Sequence, residues 1–230
     1  MKTIFTHPFD VSIEEARRIQ DELRGRVVLE CVKHSSNWPE TVAGVDVAFR
    51  NGIAYAVCEV FSYPQLELLE EKTAFRRVTY PYIPGFLSFR EIPVIIDTLL
   101  LLEIEPDIIL CDGQGIAHPR GMGLASHIGV IFAKPTIGCA KSRLVGEYKE
   151  PGIEKGCVST LSYAQHSSNR GRVVGYVLRT RAGVKPVFVS PGNLISPEDA
   201  VKVIIGCTRD RRIPEPLRFA DRRSKELKRI

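Results

Sequence analysis

Two runs of alternating apolar residues, Val42–Phe49 and Ile53–Phe61, flank the dipeptide Asn51-Gly52. An Asn-Gly pair adopts the left-handed backbone that a two-residue hairpin needs, so the runs predict adjacent antiparallel strands. Tyr63-Pro64 predicts a second turn before a third strand near Leu66–Lys72, and the three strands form a meander. Beyond it, Ser88-x-x-Glu91 precedes an apolar helix predicted over Val94–Leu102, with Pro93 in its first turn. Pro106 leads into Asp107–Cys111, a continuous apolar run of the type buried on both faces of a parallel sheet. A Gly-rich loop (Gly113–Gly123), a short helix near Leu124–Phe132 and a strand at Thr136–Ala140 complete a β-β-β-α-β-α-β order.

A meander followed by α/β crossovers is the order of the ribonuclease H fold. The expected architecture is therefore α/β: a mixed, five-stranded, ribonuclease H-like sheet flanked by helices. Ser12-x-x-Glu15 caps an early amphipathic helix that runs to about Arg24, and a polar loop follows through Asn37–Glu40. Further strands are predicted around Val173–Arg179 and Val187–Ser190, a helix capped by Ser196, and a last helix from near Pro216. Without repeats or linker-like tracts, residues 1–230 read as a single domain with a basic C-terminal helical segment.

Composition narrows the function classes. With 44% apolar and 26% charged residues, the chain is neither disordered nor fibrous. It contains no apolar run of spanning length and no leader-like N-terminus, which predicts a soluble, cytoplasmic protein with no membrane partner. Its six cysteines include no C-x-x-C pair, so neither zinc nor a disulfide framework is expected. The net charge of +5 is concentrated in residues 209–230, while residues 1–208 are neutral. That segment is either a solvated helix face or a contact for a polyanion.

The candidate chemistry is acidic. Asp46 interrupts the apolar pattern of the first strand, and ionised it must meet a cation or a donor unless it faces solvent. Asp112 ends the strand Ile108–Cys111, where ligands of open α/β sheets collect, although Asp112-Gly113 is also a good turn. Glu91 either completes the capping box begun by Ser88 or faces the same site. If the first and fourth strands are neighbours, Asp46 and Asp112 come side by side and the helix presents Glu91. Three oxygen ligands with no His/Cys cage suit Mg²⁺, with Mn²⁺ as substitute, and that set suits phosphodiester hydrolysis.

At this point the sequence resembles the endonuclease V family, nucleases directed at deoxyinosine. The resemblance rests on VAGVDVAF (Val42–Phe49), YPYIPGFLSFRE (Tyr80–Glu91), CDGQGIAHPRGMGLASHIG (Cys111–Gly129), TIGCAKSRL (Thr136–Leu144), FVSPGNL (Phe188–Leu194) and RRIPEP (Arg211–Pro216), in that order. It implies a ribonuclease H-like fold, Mg²⁺, and cleavage at the second phosphodiester 3′ to the lesion, leaving 3′-hydroxyl and 5′-phosphate ends. It also implies that Asp46, Glu91 and Asp112 are metal carboxylates, with Lys141 and His118 beside the metal and the scissile phosphate. By the same likeness Tyr82, between Pro81 and Pro84, is the wedge that replaces lost stacking when the lesion rotates out. Gly85, Leu87, Gly113 and Leu124 match the hypoxanthine pocket. One departure stands out: Asp221 occupies the place of a His that the family commonly carries near the metal. It either adds a fourth carboxylate or points away. His127 is read as a packing residue.

The expected partner is deoxyinosine-containing DNA, with Arg211, Arg212, Arg218, Arg222 and Arg223 as candidates to track its backbone. Two alternatives remain open in the sequence: a ribonuclease acting on inosine in RNA, and a non-catalytic inosine-binding protein.

Overall fold

A computed structural model describes residues 1–30, 39–163 and 171–229. Cys31 and the start of the polar loop at 37–40 fall outside the described residues. The meander forms as its turn chemistry requires: β1 (Thr41–Arg50) pairs antiparallel with β2 (Ile53–Ser62), and β2 with β3 (Leu68–Arg77). Asn51 and Gly52 both take positive φ at the hairpin. β3 extends well past the predicted Lys72: its pairing with β2 runs on to Arg77, and Ala74 packs against the core.

Helix α1 (Ile13–Arg24) opens at Ser12, whose hydroxyl accepts from the Glu15 amide. Helix α2 (Leu87–Leu100) begins seven residues before the predicted Val94. Ser88 is therefore inside its first turn rather than at its cap, and Pro93 lies in the second turn. The Ser88 hydroxyl lies against His127 Nδ1 instead, so the capping-box use of Glu91 is removed.

β4 (Ile108–Cys111) inserts parallel to β1, and β5 (Thr136–Ala140) parallel to β4, with α3 (Leu124–Phe132) as the crossover. The sheet does not stop at five strands. β6 (Val158–Ser162), β7 (Val173–Leu178) and β8 (Val187–Asn193) extend it to eight, in the order β3-β2-β1-β4-β5-β8-β7-β6. β6 had no sequence signal, because only Leu161 of its five residues is buried.

The two faces bury separate cores. One packs Val45, Cys58 and Cys111 under α2 and α3. The other packs Val42, Leu110 and Val189 under α4 (Pro197–Gly206) and α5 (Glu215–Leu227). Among the described residues no helix is long and apolar enough to cross a membrane.

Candidate active site

The parallel register decides where the acids go. Val45 is aligned with Cys111, so the next residue on each strand is Asp46 and Asp112. α5 is laid across β1 at the same level, because Gly44 has no side chain to keep it off. A Cβ there would lie 2.3 Å from the Pro216 carbonyl oxygen. That close seat brings two more polar residues to Asp46. Ser224, fully buried, donates its hydroxyl to Asp46 Oδ2 at 2.5 Å. Asp221, one turn earlier, points inward. Asp46, Asp112 and Asp221 each bring a carboxylate oxygen within 4.8 Å of the other two.

Reading the sequence centres the site on Asp46, Glu91 and Asp112. The tightest trio instead contains Asp221, and Glu91 stands outside it. Glu91 remains electrically part of the cluster: burial first, then the charges of Asp46 and Asp112, push its carboxyl up to about 8. Burial also raises the Asp46 carboxyl, against the Ser224 hydrogen bond, and Asp112 and Asp221 raise it further.

Lys141, at the end of β5, answers part of this negative charge. Its ammonium meets Asp112 Oδ2 at 2.5 Å and Asp221 Oδ1 at 3.9 Å. Burial alone would lower its pKa, but the Asp112 hydrogen bond and the three aspartates leave it above its ordinary value. Even with Lys225, which pairs with Asp221 at 2.6 Å, two lysines do not balance four acids. An all-oxygen donor set of repelling carboxylates fits a hard divalent cation, which would relieve the repulsion.

Beside this cluster opens a pocket of about 410 Å³. It is lined by Tyr82, Gly85, Leu87, Gly113, His118 and Leu124, and it shares Asp112 and Lys141 with the acidic site. The predicted base-binding residues are thus brought together. The rim segment Tyr80–Gly85 is held at both ends. Arg90 donates to the Tyr80 carbonyl at 2.7 Å. At the other end three donors converge on the Gly85 carbonyl: Gln20 Nε2 at 3.1 Å, His118 Nε2 at 3.1 Å and an Arg120 NH2 group at 2.8 Å. Gly85 has φ +83°, which a side chain would strain, and a Cβ would also press on the Arg120 guanidinium at 3.0 Å. Between these anchors Tyr82 projects outward, 69% exposed.

His118 is placed for this bracing. Its Nε2–H donates to Gly85, and its Nδ1 accepts from the Arg120 amide at 3.3 Å. Both ring nitrogens are engaged by backbone, and burial, with Arg120 nearby, lowers the ring to about 4. The imidazole is a neutral strut. His127, also neutral and fully buried, lies 2.6 Å from His7 within the core.

The arginine candidates divide. Arg212 is turned inward and donates to the Lys141 carbonyl at 2.6 Å and the Pro186 carbonyl at 2.8 Å. Arg218 pairs with Glu215, and Arg223 with Glu71. Arg211 is exposed, and Arg222, 5.1 Å over the Phe219 ring, makes a loose 3.8 Å pair with Glu226. Three supporting residues carry no signal in the sequence, because Gln20, Arg120 and Ser224 act through tertiary contacts far along the chain, and Arg212 is an internal brace where the sequence suggests a backbone contact.

The Endonuclease V family profile matches residues 21–222. An endonuclease V of a Nostoc species is 47% identical over 218 residues, covering 94% of this chain and 95% of its own. The crystal structure of the Bacillus subtilis endonuclease V superposes with TM-score 0.89 at 35% identity, covering 100% of this chain and 98% of that one. The Ciona intestinalis endonuclease V, solved with a 24mer DNA containing an inosine followed by a ribo-adenosine, gives TM-score 0.81 at 33% identity, covering 94% and 98%.

Proposed function

Because this chain belongs to the endonuclease V family, we propose that it nicks DNA at deoxyinosine, hydrolysing the second phosphodiester on the 3′ side of the lesion. The observation that carries the reading is the shared edge between pocket and acids: Asp112 and Lys141 line both. A base held in the pocket keeps its own strand beside the carboxylates. The Ciona relative's inosine-containing DNA supports the same substrate class.

In this reading Asp46, Asp112 and Asp221 hold a divalent cation, with Glu91 reached directly or through water, and Mg²⁺ is the expected ion. When bound, the cation lowers the energy of charge that builds on the phosphate and on the leaving oxygen. The rest is done by the chain. Lys141 offers an ammonium to a phosphate oxygen while its carbonyl is pinned by Arg212. Tyr82 stacks where the lesion has left the helix, held in position by the braced Tyr80–Gly85 segment. Gly85, Leu87, Gly113 and Leu124 let the pocket wall approach a flat base. His118 positions Gly85 and moves no proton. Of the five candidate arginines, Arg211 and the loosely paired Arg222 are the ones placed to meet the phosphate backbone. We read residues 1–230 as one nuclease domain and place it in the cytoplasm.

The test is a product map on labelled duplex with one deoxyinosine. A single nick one nucleotide beyond the lesion on its 3′ side, dependent on Mg²⁺ or Mn²⁺ and lost in Asp46→Ala, supports the reading. A cut elsewhere, or full nicking by Asp46→Ala, overturns it. The ribo-adenosine next to inosine in the Ciona complex favours one further comparison, inosine in RNA against deoxyinosine in DNA. Faster cleavage of the RNA would reassign the substrate within the same chemistry. Inward-pointing Asp221 and ion-paired Lys141 speak against a non-catalytic binder, which has no use for clustered acids.

A further inference from the structure

The sheet face that carries Asp46 continues beyond the active site onto the meander. Cross-strand rows follow one another there: Asp46–Val57–Thr73, then Ala48–Tyr55–Phe75, then Arg50–Ile53–Arg77. Paired residues on antiparallel strands project from the same side, so these rows share the α5 face. Two contacts fix that assignment: Ser224 on Asp46, and Arg50 on the Lys228 carbonyl at 2.7 Å. α5 lies over β1 and β2 and leaves the far end of β3 open, where Phe75 is 75% exposed. Strand spacing and rise put Phe75 about 12 Å from Asp46 along the sheet.

Charge surrounds this aromatic step. Arg77 is exposed, Arg50 is exposed and bonds only the α5 carbonyl end, and Lys228 adds a third cation. The nearby acids of α5 are already taken: Asp221 by Lys225, and Glu226 by Arg222 and Arg223. Among the described residues, Arg50, Arg77 and Lys228 have no acidic partner. An exposed aromatic among unpaired cations binds a polyanion with free flat faces. A duplex offers no free base face, whereas an unpaired strand does. A second copy of this chain docking on the β3 edge would bring these cations toward like charges.

We propose that Phe75 and Tyr55, with Arg50, Arg77 and Lys228, form a docking site for an unpaired stretch of the nucleic-acid strand that flanks the cut. The inference rests on the nuclease reading above.

Two probes separate the inference from its premise. A twenty-nucleotide oligothymidylate without inosine reads the patch alone; a blunt deoxyinosine duplex reads pocket and catalysis alone. Phe75→Ala is expected to weaken oligothymidylate binding about five- to tenfold, with Phe75→Trp restoring it. Arg77→Ala is expected to reduce the salt dependence by about one released counterion. Both variants should nick the blunt duplex at the parent rate. Unchanged oligothymidylate binding in Phe75→Ala, or no binding by the parent chain, overturns the docking site while leaving the nuclease reading intact. If the parent fails to nick the duplex yet Phe75→Ala still loses oligothymidylate binding, the site stands and the nuclease reading falls. Loss of a dimer by light scattering, with strand binding unchanged, would reassign the face to self-association.

Discussion

Gly44→Ala is the sharpest single probe of how the site is built. The added Cβ would lie 2.3 Å from the Pro216 carbonyl oxygen and 2.4 Å from its carbon. Both are backbone atoms, so no side chain can rotate away. Ordinary contact begins at 3.4 Å, so β1 and the start of α5 must separate by 3.4 − 2.3 = 1.1 Å. Overpacking of this kind costs about 1–3 kcal/mol, and each kcal/mol lowers Tm by roughly 2–4 °C in a chain of this size. Function should suffer more than stability. Asp221 and Ser224 ride on α5, metal ligands tolerate about 0.2 Å of error, and a 1 Å misplacement costs on the order of a hundredfold in rate. The expected result is kcat/KM for deoxyinosine duplex down about a hundredfold, with a folded protein whose Tm falls by roughly 2–12 °C. Gly25→Ala, whose Cβ meets only the Glu22 carbonyl at 3.4 Å, serves as the control and should match the parent. Nicking by Gly44→Ala within about threefold of the parent would refute the argument that close seating of α5 completes the site.

Four other outcomes are expected. Gln20→Ala removes one donor from the Gly85 carbonyl and the acceptor of Arg120 Nε, costing about 1–3 kcal/mol in urea unfolding and raising KM more than it lowers kcat. Folded His118 titrates near 4 where the unfolded ring titrates near 6.5. Stability should therefore fall as pH drops from about 6.5 to about 4, by about 3 kcal/mol across that window, and His118→Asn should flatten the slope. Asp221→Asn should weaken Mn²⁺ binding in calorimetry about 10- to 100-fold, while Tm without metal should change little, because the variant loses both one repelling charge and the Lys225 ion pair. Below the Glu91 value of about 8 a cation must displace a proton, so apparent metal affinity should rise with pH, up to about tenfold per unit, and Glu91→Gln should abolish that rise.

Much of this arrangement is written locally. Asn51-Gly52, Ser12 and Ser196 act on their own neighbours, so the hairpin and two helix starts are legible from a few residues. The alignment of Asp46 with Asp112 follows from adjacency of the first and fourth strands, which the element order suggests. The start of α2 was misread because Ser88 has a distant partner, His127, which outcompetes the local cap. Strand β6 extends the sheet as its edge, with one buried residue in five, and so leaves little apolar periodicity. The direction of Asp221 depends on Gly44 meeting Pro216, a contact between opposite ends of the chain that no window of sequence contains. The same holds for Gln20 and Arg120 at Gly85, and for Arg212, whose charge looked free and is spent on two carbonyls.

Ser224 and Asp46 meet across 178 positions of sequence. In chain order α5 also follows every strand of the sheet, so it leaves a ribosome after them. A growing chain therefore carries the pocket, Asp46 and Asp112 well before it carries Asp221 and Ser224. Until α5 seats on β1, such a chain lacks both the third close carboxylate and the hydroxyl that orients the first. Chain order thus sets assembly order: the acidic cluster closes only after the sheet and the pocket wall that it borders are in place.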